Sequence, residues 1–251
     1  MRAWRLVGRH YLVYRRGWFV FLTGMLEPIF YLFSIGVGVG ALIVGFQVDG
    51  RTLSYAAFVA PAMLAVSAMN GSVLDATFNL FFRLRYDKLY DTVLATPMTT
   101  ADVAIGETLW SLIRGGIYAT GFLAIMAAMG LVESWWGVLA VPAALLLGFA
   151  CGAVAMTLTT YMTTWQHFEY ISLVLTPLTL FSGTFFPVEV LGEWGRWVVE
   201  VTPLYRGVVL CRELTVGGVG LPSALSVAYL LVMGLAGMWA ARRRLDVLLR
   251  A

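Results

Sequence analysis

The chain contains six apolar stretches that are each long enough to cross a lipid bilayer as an α-helix. They cover residues 18–46, 55–82, 103–129, 138–160, 170–186 and 221–241. About 20 apolar residues are needed because a helix rises about 1.5 Å per residue through a hydrocarbon layer about 30 Å thick. A helix satisfies its own backbone hydrogen bonds in lipid. The pattern therefore predicts an all-α polytopic membrane protein with six transmembrane helices.

The composition supports this interpretation and excludes an ordinary soluble domain. Hydrophobic residues make up 60% of the chain and charged residues 12%, whereas soluble domains carry about 25% charged residues. We find no stretch that is long and polar enough for a separate soluble domain, so residues 1–251 are predicted to form one transmembrane domain. The net charge of +3 does not indicate a nucleic-acid partner, because the arginines cluster at the ends of the apolar stretches.

The basic residues predict the orientation in the membrane. Twelve of the 17 Lys and Arg residues lie in three blocks, at 1–17, 83–97 and 242–250. Two predicted spans separate the first block from the second, and four separate the second from the third, so the even numbers place all three blocks on one side. The positive-inside rule identifies that side as the cytoplasm. Both termini are then expected to be cytoplasmic. The break at 163–169 must also be cytoplasmic, although it has no Lys or Arg.

Two segments outside the spans have their own predicted structures. Residues 1–17 mix arginines with apolar residues, which indicates a basic amphipathic helix on the membrane surface; a disordered basic tail is the alternative. Residues 185–220 are too polar in each half to cross the bilayer. They are expected to form two short interfacial or re-entrant helices that are broken at Pro203.

Sequence motifs for catalysis and for metal binding are missing. His10 and His167 are the only histidines, and neither lies near a cysteine or carboxylate at metal-ligand spacing, except for Glu169 two residues after His167. A phosphate-binding GxxxxGK[ST] loop is also absent, so the chain cannot hydrolyse ATP by a P-loop mechanism. We expect no enzyme activity, no metal and no cofactor on this chain, and any ATP must act on another subunit.

Ionisable residues inside predicted spans are costly and therefore suggest a function. They include Glu27, Asp75, Glu107 and Arg114. Asp75 and Asn79 belong to a face of the second span on which small or polar residues recur every four positions. We expect pairing between helices, for example of Asp75 or Glu107 with Arg114. Such pairs could simply hold helices together, or the carboxylates could form a proton relay.

The charged segment 83–97 follows the second span and ends at Pro97. Its spacing predicts an amphipathic helix on the cytoplasmic side. Such a helix can dock in a groove of a soluble partner. The alternative is a helix that lies on lipid headgroups.

At this segment the sequence resembles a known family. KLYDTVLATP at 88–97, GETLW at 106–110, FSGTFFPV at 181–188 and TPLYRGV at 202–208, together with Glu27-Pro28, are similar to the permeases of ABC-2 type exporters. The most similar branch exports nodulation factors and lipo-oligosaccharides, and the daunorubicin-type drug exporters are close to it. The resemblance covers nearly the whole chain.

The resemblance implies a transport mechanism and specific roles. Segment 83–97 would be the coupling helix that binds the ATPase, and the outer residues 185–207 would form a gate. Two permease copies, as a homodimer or with a sister permease, would work with two ATPase subunits that bind ATP and Mg. The implied partner-binding residues are Arg83, Arg85, Asp87, Lys88, Tyr90, Asp91, Leu94, Thr96 and Pro97. The implied path and gate residues are Glu27, Asp75, Asn79, Glu107, Arg114, Phe185, Phe186, Pro187 and Tyr205.

Three functions are therefore compared. An exporter subunit in the bacterial cytoplasmic membrane, which moves a lipo-oligosaccharide, a glycolipid or a drug, agrees with all of these features. A proton-coupled secondary transporter that uses Glu27, Asp75 or Glu107 is the alternative. An intramembrane enzyme is the least supported, because a catalytic constellation is missing from the sequence.

Overall fold

The computed structural model describes residues 2–17, 19, 26, 28–43, 47–48 and 51–250. Within these residues the fold is α-helical, as predicted, apart from one antiparallel pair of two-residue strands, β1 (Gln47–Val48) and β2 (Arg51–Thr52). The α-helices are α1 Ala3–Tyr14, α2 Tyr55–Leu74, α3 Leu80–Arg85, α4 Leu89–Leu94, α5 Thr100–Ala128, α6 Ala140–Thr159, α7 Phe168–Phe181, α8 Gly192–Glu200, α9 Pro203–Val216 and α10 Leu221–Arg250. Leu32–Val39 and Asp75–Asn79 are π-helical.

Four helical stretches of the described chain are long and apolar enough to cross a membrane. They are Tyr55–Arg85, Thr100–Ala128, Trp135–Thr159 and Leu221–Leu249. These stretches correspond to the second, third, fourth and sixth apolar segments of the sequence. The prediction of an α-helical membrane protein is therefore confirmed.

The fifth predicted span is shorter in the structure, and the first is described only in part. The described part of the first is the apolar helix Pro28–Leu42, and Glu27 lies outside the described residues. The fifth is α7, whose 14 residues reach about 21 Å at about 1.5 Å each. That length is less than the hydrocarbon thickness of about 30 Å. The number of six spans consequently stays a prediction.

Helix α2 forms the centre of the bundle. It packs against α5, α6 and α9, and α6 packs in turn against α10. The contact with α5 depends on two glycines: a Cβ on Gly71 would lie 2.6 Å from Cδ2 of Tyr118 and 3.3 Å from Cα of Gly115. Small residues at such crossings let membrane helices approach closely and gain van der Waals contact.

Side-chain caps define where several helices begin. Ser54 accepts a hydrogen bond from the backbone N–H of Ala57 at the start of α2. Thr99 and Asp102 form a reciprocal capping box at the start of α5. At the start of α9, Thr202 is the cap and Pro203 the first helical residue. These residues satisfy backbone N–H groups that the first turn of a helix leaves unpaired.

The N-terminal and outer segments have the expected helices. Residues 1–17 contain α1 rather than a disordered tail, and Leu6 and Val7 are buried against α5. The outer segment forms α8 and α9, which are separated just before Pro203 as predicted. Whether these two helices re-enter the membrane stays a prediction.

The segment 83–97 differs from the predicted single helix. The second span continues to Arg85, and the chain then turns and begins the short helix α4. Lys88, immediately before α4, has a left-handed backbone with φ of 46°. Because an L-residue in this conformation interrupts a right-handed helix, the segment is divided here. Only Leu89–Leu94 forms a separate helix.

The three basic blocks meet at one end of the bundle. Arg2 donates a hydrogen bond of 2.6 Å to the backbone carbonyl of Pro97, and Thr100 donates one of 2.6 Å to Asp246. Arg85 donates to the backbone carbonyl of Met162 at 3.1 Å, so the break at 163–169 lies there too. We call this the arginine-rich end, and the shared side agrees with the charge pattern of the sequence.

Candidate functional site

A buried cluster of four charged side chains joins α3, α5 and the π-helical turn that follows α2, near the arginine-rich end. Its members are Asp75, Arg83, Glu107 and Arg114, all of them buried. Arg114 donates to Oδ1 of Asp75 at 3.3 Å. Arg83 donates to Oε2 of Glu107 at 2.5 Å, and its other terminal nitrogen lies 3.6 Å from Oδ1 of Asp75. Two anions thus face two cations, which is how buried charges are stabilised.

Two further side chains contact the other carboxylate oxygen of Glu107. Oε1 of Glu107 accepts a hydrogen bond of 2.7 Å from the hydroxyl of Tyr90 and lies 3.0 Å from Nε2 of His10. Tyr90 belongs to α4 and His10 to α1. One carboxylate on α5 therefore contacts three other helices. We call Glu107 with Arg83, Tyr90 and His10 the Glu107 junction.

The π-helical turn at Asp75–Asn79 positions the other carboxylate. The amide of Asn79 donates to Oδ1 of Asp75 at 2.5 Å, which is the oxygen that Arg114 also contacts. Single π-turns inside α-helices often occur at functional sites because they change the direction of side chains. The four-residue spacing of Asp75 and Asn79 in the sequence placed them on one helix face, but it gave no sign of a π-turn.

The geometry tests the expected pairing between helices. Asp75 pairs with Arg114 across α2 and α5, as the sequence suggested. Glu107 pairs with Arg83 instead, which is the arginine at the end of the second span. Asp75 and Glu107 each face an arginine, so their contacts favour a structural role over a proton relay.

Tyr90 and Arg83 face the interior of the protein. Both are buried, and burial together with the nearby Glu107 carboxylate raises the pKa of Tyr90 well above its usual value. The hydroxyl therefore stays protonated and donates to the carboxylate. Neither residue is available to a partner in this conformation, in contrast to the roles that the resemblance implied.

The other implied partner-binding residues lie on the surface of the arginine-rich end. Leu94 is half-buried, and the remaining side chains are exposed: Arg85, Asp87, Lys88, Asp91, Thr96 and Pro97. The segment thus has an outer face with mixed charge and an inner face that is anchored by Tyr90. We call the outer face the 85–97 surface.

A cleft of about 250 Å³ separates the described part of the first span from α2 and α7. Pro28 and Tyr31 line one side, and the ring of Phe185 lies 6.2 Å from the ring of Tyr31. The cleft also contains polar side chains that the sequence analysis did not single out: Asn70, Ser172, Thr176 and Thr179. Its walls therefore combine apolar and hydrogen-bonding groups.

The predicted gate residues separate into different environments. Phe185 lines the cleft, and its backbone carbonyl accepts a hydrogen bond of 2.7 Å from Tyr55. The ring of Phe186 packs instead against Phe181, at 6.4 Å. Pro187 and Tyr205 line a different cavity, of about 480 Å³, beside α9.

Arg212 holds this outer region together, and sequence reasoning missed it. Its guanidinium lies 3.8 Å from the ring centre of Phe58 and donates 2.8 Å and 3.2 Å hydrogen bonds to the carbonyls of Gly183 and Phe58. His10 was also missed as a site residue. A signal was present for it, because Ala3, Leu6, Val7 and His10 have the spacing of one buried helix face.

Comparisons with known proteins agree with this architecture. The family model described as ABC-2 type transporter matches residues 1–215. Nodulation protein J from Rhizobium meliloti is 33% identical over 218 residues, which are 86% of this chain and 80% of that protein. Nodulation protein J from Sinorhizobium fredii is 32% identical and covers 87% of this chain and 83% of its own length. The protein of the same name from Bradyrhizobium diazoefficiens is 33% identical, with 84% and 79% covered.

Proposed function

Because the chain belongs to the ABC-2 type transporter family, we propose that it is the membrane-spanning permease subunit of an ATP-binding-cassette exporter. It moves an amphipathic substrate outward across the bacterial cytoplasmic membrane, and both of its termini lie in the cytoplasm. The substrate class is a lipo-oligosaccharide, a glycolipid or a drug. A second permease copy completes the path, and two separate ATPase subunits bind ATP and Mg.

The Glu107 junction is the observation that carries this proposal. A permease without a nucleotide site needs a rigid connection between the surface that its ATPase touches and the helices that line the path. The 85–97 surface is held on its inner side by the hydrogen bond from Tyr90 to Glu107. Movement of α4 therefore acts directly on α5, and through Arg83 on α3.

The cleft behind Phe185 supports an amphipathic substrate. It lies between the described part of the first span, α2 and α7, which are the spans that the family resemblance places along the path. Apolar side chains such as Met63 can contact a lipid-like part, and Asn70 or Thr176 can donate hydrogen bonds to a polar part. The relatives named nodulation protein J agree with a branch that exports lipo-oligosaccharides.

The test uses charge reversal on the 85–97 surface. The permease is purified with its ATPase in nanodiscs. Lys88→Glu should lower ATPase binding, and the double variant with Arg85→Glu should lower it by about tenfold, since contacts of surface charges govern such docking. Substrate-stimulated ATP hydrolysis should fall with it. Lys88→Glu is the cleaner variant, because Arg85 also bonds to Met162.

Arg196→Glu is the matched control. Arg196 is an exposed arginine of the outer helix α8, where it pairs with Glu200. This variant should bind the ATPase as the wild type does. Unchanged ATPase binding and stimulation in the double variant would refute docking on the 85–97 surface. Normal transport in cells that lack every candidate ATPase would refute the exporter function itself.

A further inference from the structure

An apolar groove of about 410 Å³ runs along the outside of the bundle between α6 and α7. Val154 and Leu158 form one wall, Val174 and Leu178 the other, and Val73 and Met233 line its floor. Leu158 and Val174 are more than half exposed in the structure. The lining residues of α6 extend from Cys151 to Leu158, which corresponds to about 11 Å of helix.

The groove opens at the arginine-rich end. Tyr161, Met162 and His167 surround its mouth. The guanidinium of Arg244, on α10, lies 3.9 Å from the ring centre of Tyr161. Arg85 reaches the same place, where it donates to the carbonyl of Met162. Arg85 and Arg244 therefore bring two positive charges to this mouth, and the exposed Glu169 of α7 lies in sequence between the lining residues His167 and Tyr170.

Arg244 brings a half-buried cationic side chain to this mouth, where it stacks on Tyr161. Its Nε atom is enclosed and has no acceptor among the residues that the structure describes, whereas the side chain as a whole keeps part of its surface accessible. This accessible part of Arg244 can meet a ligand at the mouth. An anionic oxygen is the best acceptor for a guanidinium, and phosphate suits it particularly well.

We propose that this groove is a binding site for an anionic phospholipid of the surrounding membrane. One acyl chain lies between α6 and α7, and the phosphate accepts a hydrogen bond from Arg244. The lipid comes from the leaflet at the arginine-rich end, where anionic headgroups are attracted to basic side chains. This lipid is a resident of the protein and not its cargo, so the proposal does not depend on the transport function.

The proposal is tested by native mass spectrometry of the purified full-length protein. Phosphatidylglycerol and phosphatidylcholine with identical acyl chains are titrated separately. Arg244→Gln should weaken phosphatidylglycerol binding about fivefold, the effect of one cationic side chain at an anionic lipid surface. It should weaken phosphatidylcholine binding less, because the choline cation of that lipid offsets the charge of its phosphate. Arg243→Gln is the matched control, because Arg243 stacks on Trp239 at 4.0 Å instead.

A second pair of variants tests the groove itself. Val174→Trp fills the groove and should reduce binding of both lipids, whereas Leu173→Trp, an exposed neighbour that does not line the groove, should not. These two tryptophan variants also test whether a lipid occupies the groove if Arg244→Gln fails to fold. Equal binding of the two lipids by the wild type, or equal effects of the two tryptophans, would overturn the proposal. A Val174→Trp variant that loses dimers while it keeps its lipid would identify the groove as a contact between two copies and would overturn it too.

Discussion

Replacing Tyr90 by phenylalanine should loosen α4 while the bundle stays folded. The substitution removes only the hydroxyl that donates to Glu107 at 2.7 Å, and the ring stays in place. A hydrogen bond to a charged group contributes about 1.5–3 kcal/mol. Glu107 keeps its contacts with Arg83 and His10, so its carboxylate is not left unpaired, and the lower value applies. About 1.5 kcal/mol corresponds to a roughly tenfold change in the equilibrium between docked and open α4.

Hydrogen–deuterium exchange of the protein in nanodiscs measures this equilibrium. The backbone amides of Leu89–Leu94 exchange when α4 opens locally, and their protection reports the free energy of that opening. In Tyr90→Phe their protection should fall about tenfold, as the lost hydrogen bond implies. Amides in the middle of α5 should keep the protection of the wild type, because that helix is held by packing along its whole length.

Tyr86→Phe provides the control within the same segment. Tyr86 is 61% exposed, and its ring packs against Phe82, a contact that phenylalanine preserves. This variant should exchange like the wild type. If both variants lowered protection equally, or if Tyr90→Phe had no effect, the Glu107 junction would not hold α4 and the proposed connection to the ATPase surface would be refuted.

Two further predictions concern the buried charges and the gate. Asp75→Asn leaves Arg114 without its carboxylate, so the free energy of unfolding in detergent should fall by about 3 kcal/mol. Adding Arg114→Gln should restore part of this stability. Strictly additive losses in the two single variants would show that the pair does not interact. Phe185→Ala should increase passive leak of a fluorescent dye from proteoliposomes, because this ring lines the cleft, whereas Phe186→Ala should not, because its ring packs on Phe181. Equal leak in both variants would contradict the assignment of the gate.

Hydrophobicity made the main helices predictable from the sequence. The apolar stretches at 55–82, 103–129, 138–160 and 221–241 each became a helix of sufficient length, because a span in lipid has no alternative means to satisfy its backbone. Pro203 also located the break in the outer segment, since proline is favoured at the first position of a helix and not in its interior. The pairing of Asp75 with Arg114 followed from the cost of isolated charges in a membrane.

The segment 83–97 was less predictable because its structure depends on tertiary contacts. Its amphipathic pattern suggested one helix, whereas the left-handed conformation of Lys88 divides it. Lysine has no particular preference for that conformation, so local sequence gives no signal. The inward direction of Arg83 was not predictable for the same reason. An arginine beside a run of charged residues resembles a surface residue, and only the fold places its partner Glu107, 24 positions away, next to it.

The positions of the two carboxylates suggest a route for movement from the 85–97 surface, where the ATPase is proposed to bind, to the cleft. Arg83 contacts Glu107 and also approaches Asp75, so displacement of the Glu107 junction changes the position of the π-turn in the second span. Leu74, the residue before that turn, lines the cleft. Separating either carboxylate from its arginine would leave an uncompensated buried charge, which costs about 3–5 kcal/mol. Under the proposed function these groups move together, so that a shift of α4 would change the cleft wall without any side chain crossing the membrane.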